Sequence, residues 1–311
     1  MFGLCHGVQH SQWQISEVIR FLMNGKRKAG DKGYVDIAAK DIDVVCAGIN
    51  HQTWYIQVRY NGQDWTGRLL DGFERFPKYK RTEKVRIDVL RRFGYFSTES
   101  NGHLSEYLPW YRKRAEELGK WIVKGSWMEA GGYLRMCKDQ REGFEADFRK
   151  LLSATPAPYT TETRSHEHGS HIIEALETGR VYRGHFNVVN HGAITNLPPD
   201  AIVEVPGYVD RTGINIPIVG GLPLGCAAVC NASISVQRLA VEAAVSGDDS
   251  LLRQAMLMDP LIGAVCDPPE ILRMVDELLV AEAKWLPQYR KPISEAKKRL
   301  LKARGVKTKS K

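Results

Sequence analysis

The chain has 311 residues, 43% of them hydrophobic, enough to bury one large core or two smaller ones. Its opening residues lack the basic and long apolar regions of a secretion signal, and no run approaches the roughly 20 apolar residues of a membrane helix, so a cytoplasmic location and no membrane partner are expected. The formal charge is +8 and six cysteines stand at 5, 46, 137, 226, 230 and 266 without a CxxC pair, which fits a reduced thiol set better than a disulfide framework.

In chain order, Met1, Phe2 and Leu4 before Cys5-His6-Gly7 read as the end of a buried strand delivering a reactive turn. Gln9–Met23 reads as a helix with Trp13, Ile15, Val18, Ile19 and Leu22 inward. Val44–Ile49 and Trp54–Tyr60 are strands hinged at Asn50-His51-Gln52, and Asn61-Gly62 turns the chain after the second. Thr82–Phe93 is a helix with Val85, Leu90 and Phe93 inward, and residues 154–158 are expected as a long loop. A helix over His166–Thr178 and strands over Val181–Asn190 and Ala201–Asp210 follow. The last third is helical: Ser233–Ser246 with Ser233 as N-cap, Asp248–Met258, and Pro268–Trp285 opened by two prolines. Lys297, Lys298, Arg299, Lys302, Arg304, Lys307, Lys309 and Lys311 supply all the excess charge, since no acid follows Glu295. The tail, residues 296–311, is therefore expected as a helix end that frays into disorder, and a nucleic-acid partner is not expected. The pattern as a whole is one α+β unit, mostly helical, over residues 1–295.

Cys5 and His51 each follow an apolar strand, the position where α/β folds present site residues. A thiolate and an imidazole can hold a divalent transition metal and leave positions open for substrate oxygens; a small buried hydrophobe is the alternative for Cys5. In "RSHEHGSHIIEAL", His166, His168 and His171 cluster without forming HExxH. These imidazoles are expected to line a cleft or cap the helix. "STESNGHLSEYLPWYRKR" mixes Glu99, His103, Glu106, Tyr107, Trp110 and Tyr111 with basic residues. It suits either a sugar-binding wall or an exposed amphipathic helix.

The strings "GLCHGVQ", "CAGINHQTWYIQVRYNG", "RRFGYFSTESNGHLSEYLPWYRKR", "RSHEHGSHIIEALETG", "NLPPDAIVEVPGYVDRTGI" and "SISVQRLAVEAAVSGD" resemble glycoside hydrolase family 4, the NAD- and manganese-dependent family related to lactate and malate dehydrogenases. The resemblance runs from residue 1 to about 290. It implies the C-terminal domain of a dehydrogenase-like fold, closest to the α-galacturonidases, with α-galactosidases as neighbours. This family departs from the two-carboxylate scheme of most glycosidases. Its members begin with a dinucleotide-binding domain, whereas no GxGxxG occurs in these 311 residues. The sequence is therefore expected to be the C-terminal portion of such an enzyme, with its first strand parted from its neighbours.

Residue by residue, the resemblance implies Mn²⁺ on Cys5 and His51. It implies oxidation of the sugar's C3 hydroxyl by NAD⁺, then loss of the acidified C2 proton to Tyr107, whose phenolate the metal and nearby cations must favour. Elimination of the C1 group, addition of water and return of the hydride complete the cycle. Relatives with an Asp after the metal Cys use it as proton donor; His6 stands there here and is the first choice of acid, His103 the second. Asn50 and His168 are expected to line the substrate or cofactor, and Arg112 or Lys113 to meet a uronate carboxylate. The implied partners are a galacturonide or galactoside oligosaccharide, further copies of the chain, and a separate nucleotide-binding half. The competing readings are a non-catalytic fragment or oligomerisation module, and a tail-driven nucleic-acid binder.

Overall fold

The computed structural model describes residues 2–123, 132–153 and 168–309. It is α+β and mostly helical. Its contacts group into two compact units, residues 1–104 with 118–227 and residues 105–117 with 228–311. The sequence read as one unit because the helical last third looked like a continuation; in fact it carries an apolar cluster of its own, around Val275, Leu279, Tyr289 and Ile293.

The elements in chain order are α1 (Gly7–Asn24), β1 (Ile42–Ile49), β2 (Gln52–Tyr60), β3 (Gln63–Asp64), α2 (Leu69–Arg75), α3 (Pro77–Thr82), α4 (Lys84–Phe93), β4 (Phe96–Ser97) and α5 (Asn101–Tyr107). They continue with α6 (Leu118–Trp121), α7 (Gly132–Ser153), α8 (His168–Thr178), β5 (Tyr182–Val189), β6 (Ile202–Asp210) and β7 (Gly213–Asn215). The helices α9 (Leu224–Ser246), α10 (Asp249–Met258), α11 (Pro260–Val265), α12 (Pro268–Ala281) and α13 (Arg290–Lys309) complete the chain.

All the strands form one antiparallel sheet in the order β3-β2-β1-β6-β5, with β4 beside β2 and β7 beside β6. The expected strand before Cys5 shrinks to one bridge, Gly3 exchanging two 2.9 Å bonds with Asn187 of β5. Its apolar residues are not buried: Phe2 is 40% and Leu4 39% exposed. Helix α1 packs Ile15, Val18 and Ile19 against Val44, Tyr55 and Val58 of the hairpin. Trp13, expected inward, is 47% exposed; two residues before Ile15 it lies about 200° around the helix, on the opposite face.

Three C-terminal expectations are corrected. Ser233 is no N-cap, since α9 starts nine residues earlier, just after Pro223, and nothing between the two breaks a helix. Among the described residues α9 is also the one helix long and apolar enough by length and composition to cross a membrane, although it carries Arg238 and Glu242. The third concerns the tail: α13 runs through the expected boundary at residue 296, where Ala296 is fully buried. Asp276, 5% exposed, accepts hydrogen bonds from Arg299 at 2.7 and 2.8 Å and from Arg253 at 2.7 Å. The Arg299 and Arg253 bonds overcome burial and hold that carboxyl below the usual range. A count of net charge could not see that one of the tail's cations has a buried partner. The helix starts at Asp248 and Asp267 agree with the sequence, each carboxylate capping backbone N–H groups. The expected loop at 154–158 and His166 lie outside the described residues.

Arg86 ties the first unit together from a fully buried position on α4. Its guanidinium donates to Gln14 of α1 at 2.5 Å, to Glu83 at 3.0 Å and to the Ser97 carbonyl of β4 at 2.7 Å, and it lies over the Phe96 ring. Removing the cation leaves Glu83 and a strand carbonyl buried without it, so Arg86→Met is expected to lose about 3–5 kcal/mol. Urea unfolding of the two proteins checks this; a loss below about 1 kcal/mol would contradict the assignment.

Candidate functional site

The site is built on the β1–β2 hairpin. Ile49 pairs with Gln52, so Asn50 and His51 alone make the turn, and His51 takes a left-handed φ of 64°, uncommon for a residue with a Cβ. Gly48 must be glycine: a Cβ there would sit 2.2 Å from the Gln52 carbonyl oxygen. Strand β4 runs beside β2, with Ser97 opposite Trp54, and the Thr98 N–H donates to the Thr53 carbonyl at 3.0 Å. This pairing brings the next residue, Glu99, to the His51 turn.

His51 Nδ1 stands 2.6 Å from Glu99 Oε2, while Glu99 Oε1 accepts the Ser100 N–H at 2.7 Å. The Glu99 hydrogen bond raises the His51 pKa against the opposing effect of burial. Burial alone would raise Glu99, but the bonds from His51 and Ser100 outweigh it and hold the carboxyl below its ordinary range. Nδ1 is turned to the carboxylate, and an imidazole oriented by an acid in this way is the usual arrangement of a metal-binding histidine. His103 of α5 meets the His51 ring edge-on, centroids 5.1 Å apart. One potential ligand atom from each of His51, Glu99 and His103 lies within 4.8 Å of the others.

Cys5 is not in that trio, but it feels the same charges. Burial, then the Glu204 carboxylate, push its thiol up to about 11, with Glu99 adding to the shift. Glu204, the third residue of β6, stands opposite Gly48 and is 1% exposed. Thr53 Oγ1 donates to its Oε2 at 2.9 Å, and burial nevertheless pushes its carboxyl up to about 7. Glu99 and Glu204 thus act on both Cys5 and His51. A divalent cation among these groups inverts the local balance, favouring thiolate and carboxylate together. The donor set of imidazoles, carboxylates and a thiol fits a divalent transition ion.

Of the other expected residues, only some lie beside the His51 turn. His6 stacks on His168, centroids 5.1 Å apart and planes 16° from parallel, and the two also share Gln9. His168 is buried, with Nδ1 2.6 Å from the Tyr182 hydroxyl, and His171 stacks on that same tyrosine. Asn50 is exposed in the turn. Tyr107 is half-buried and follows His103 by four residues on α5. Arg112 is half-buried, spent on Ser105 Oγ at 2.8 Å and on Glu106 at 3.2 Å; Lys113 is exposed. Trp110 is 45% exposed while Tyr111 is buried, so one ring of the expected sugar wall faces outward.

Sequence reasoning noted Glu99 only as part of an aromatic stretch and missed Glu204. The available signal was an acid inside the apolar run Ile-Val-Glu-Val-Pro, a place where a charge needs a reason.

Residues 46–262 match the "Family 4 glycosyl hydrolase C-terminal domain". The chain is 53% identical over 304 residues to "Alpha-galactosidase" of Rhizobium meliloti (strain 1021), which covers 97% of this chain and 59% of that protein. It is 26% identical over 307 residues to "Alpha-galacturonidase" of Lachnoclostridium phytofermentans, covering 92% of this chain and 62% of the other. A crystal structure of a 6-phospho-alpha-glucosidase from gut microorganisms in complex with NAD and Mn²⁺ is similar at a TM-score of 0.67, covering 92% of this chain and 62% of that one. At 16% identity this likeness is one of fold. The chain spans about three fifths of the length of these relatives.

Glu99→Gln removes the anion that favours imidazolium at His51, so the His51 pKa is expected to move down in the metal-free protein. Because a proton on Nε2 competes with a metal, the pH below which metal binding fades should move down with it. Histidine-resolved NMR titration measures both; an unmoved His51 resonance pattern would contradict the pairing.

Proposed function

The chain belongs to glycoside hydrolase family 4, and from that membership we propose that it forms the substrate and metal half of an enzyme that cleaves α-galactosides. The observation that carries the reading is the His51 imidazole clamped by Glu99 against His103, under the same two carboxylates that bear on Cys5. Two features favour a neutral galactoside over a galacturonide. The chain is 53% identical to an α-galactosidase against 26% to an α-galacturonidase. Arg112, expected to meet a uronate carboxylate, already has Glu106 as its counter-ion.

In this reading Cys5 and His51 hold a Mn²⁺ ion, with Glu99 behind His51 fixing its tautomer and ring orientation. When bound, the ion supplies Lewis-acid stabilisation of negative charge on the sugar's neighbouring oxygens. Tyr107 takes the C2 proton. Its support is the match of "SEYLPW" to the family's base and its place one helical turn beyond His103. His103 replaces His6 as the proposed proton donor to the leaving group, because it stands against His51 while His6 is stacked on His168. NAD is a different matter. With no GxGxxG in the 311 residues, this chain offers its pyrophosphate no glycine-rich cradle, and no hydride step is assigned to its residues. That cradle belongs, in this proposal, to protein outside these residues.

Mn²⁺ binding to the purified chain, followed by the loss of free-ion EPR signal, tests the reading. Cys5→Ser and His51→Ala are each expected to weaken binding at least tenfold with the fold intact by circular dichroism. Binding as tight as that of the unaltered chain in both variants would refute the site. For the substrate, the enzyme completed with NAD⁺ and its nucleotide-binding half should cleave p-nitrophenyl α-galactoside faster than the α-galacturonide; the reverse order restores the galacturonide reading.

A further inference from the structure

The beginning of α1, β1, β5 and the first residue of α8 enclose a cavity of about 150 Å³, and none of Cys5, His51, Glu99 or His103 lines it. Its walls divide by chemistry. Val8 and Val44 contribute apolar surface, Arg183, His185, His168 and Gln12 contribute polar groups, and no carboxylate is among the lining residues. His185 is 7% exposed, yet its Nε2 has no hydrogen-bond partner among the described residues. A buried ring nitrogen left this way is costly and calls for an explanation. Burial, with Arg183 and His168 nearby, pushes His185 down to about 3, so its ring is neutral and holds one proton to donate.

Arg183 is the other half of the observation. Its guanidinium gives one bond to the Val44 carbonyl at 2.6 Å. Its nearest acid, Asp43, is 3.9 Å away and 79% exposed, a contact worth little. Most of the fork's donors are therefore uncommitted. We propose that this cavity binds a small oxyanion, a carboxylate or phosphate group, held by the Arg183 fork and by His185 Nε2–H. An oxyanion supplies acceptors for a planar pair of N–H groups on the Arg183 side chain, which is 40% exposed, and for the buried His185 nitrogen that lacks one. Size agrees. On a measure by which roughly 10–15 Å³ holds one water, the cavity has room for a group of phosphate dimensions. An occupant would touch His168 and Gln9, and Gln9 in turn contacts His6, the chain neighbour of Cys5, at 3.3 Å. The inference goes beyond the glycosidase reading and does not depend on it.

Calorimetry of the full chain with inorganic phosphate, acetate and D-galacturonate, and with D-galactose as the uncharged control, tests the site. The anions are expected to bind and to shift the His185 Nε2 resonance in ¹⁵N NMR, and D-galactose to leave that resonance unmoved. Preference for D-galacturonate over acetate and phosphate would make the sugar carboxylate the occupant; preference for phosphate would make it a free anion. Arg183→Gln and His185→Phe should each weaken anion binding at least tenfold. Equal affinity in Arg183→Gln and the unaltered chain overturns the proposal, and so does an anion that leaves His185 unmoved. The NMR result stands on the unaltered protein, so it decides the matter even where a variant does not fold.

Discussion

The contact between Glu99 and His51 is the one on which the rest of the site depends. It joins the tip of a hairpin to the end of a short edge strand, and each side is held in place by something else. Gly48 admits the close approach of Gln52 that closes the hairpin, and β4 is held in register by its pairing with β2 and by the bond from Arg86 to the Ser97 carbonyl. Loosening either side separates an imidazole from the carboxylate that orients it. The positive φ of His51 adds to this picture, since a strained residue persists only where its surroundings over-determine it.

Buried acids set the electrostatics. Glu204 sits in the middle of the sheet where a charge is expensive, and after burial itself it and Glu99 push the Cys5 thiol further up. The arrangement opposes ionisation at Cys5 in the free protein and favours it once a dication stands among the same groups. In the second unit the same physics serves stability: Asp276 is buried and holds Arg253 and Arg299 together, so the last helix is anchored by a charge pair as well as by Ala296.

Much of this was legible in the sequence, for reasons that can be named. The hairpin was readable because Val44–Ile49 and Trp54–Tyr60 are apolar runs parted by a short polar turn, and β5 and β6 came out within a residue of the expected ends. The α+β class followed from the same patterns. What failed were readings that needed tertiary partners. Trp13 was placed inward by its hydrophobicity although its angle on the helix points away from Ile15. Ser233 looked like a cap because serine favours caps, yet nothing upstream stops α9. The tail looked disordered because its charges were counted without Asp276. Glu99 and Glu204 were missed as site residues because their roles arise from β2–β4 and β1–β6 pairings, which link segments far apart in the chain.

The central claim is that Cys5 and His51 share one divalent ion. Its most direct test is the optical spectrum of the chain loaded with Co²⁺ in place of Mn²⁺. The account predicts a sulfur-to-cobalt charge-transfer band that disappears in Cys5→Ser, and ligand-field bands that change in His51→Ala. A charge-transfer band that survives Cys5→Ser, or a spectrum indifferent to His51→Ala, would place the ion elsewhere and contradict the account.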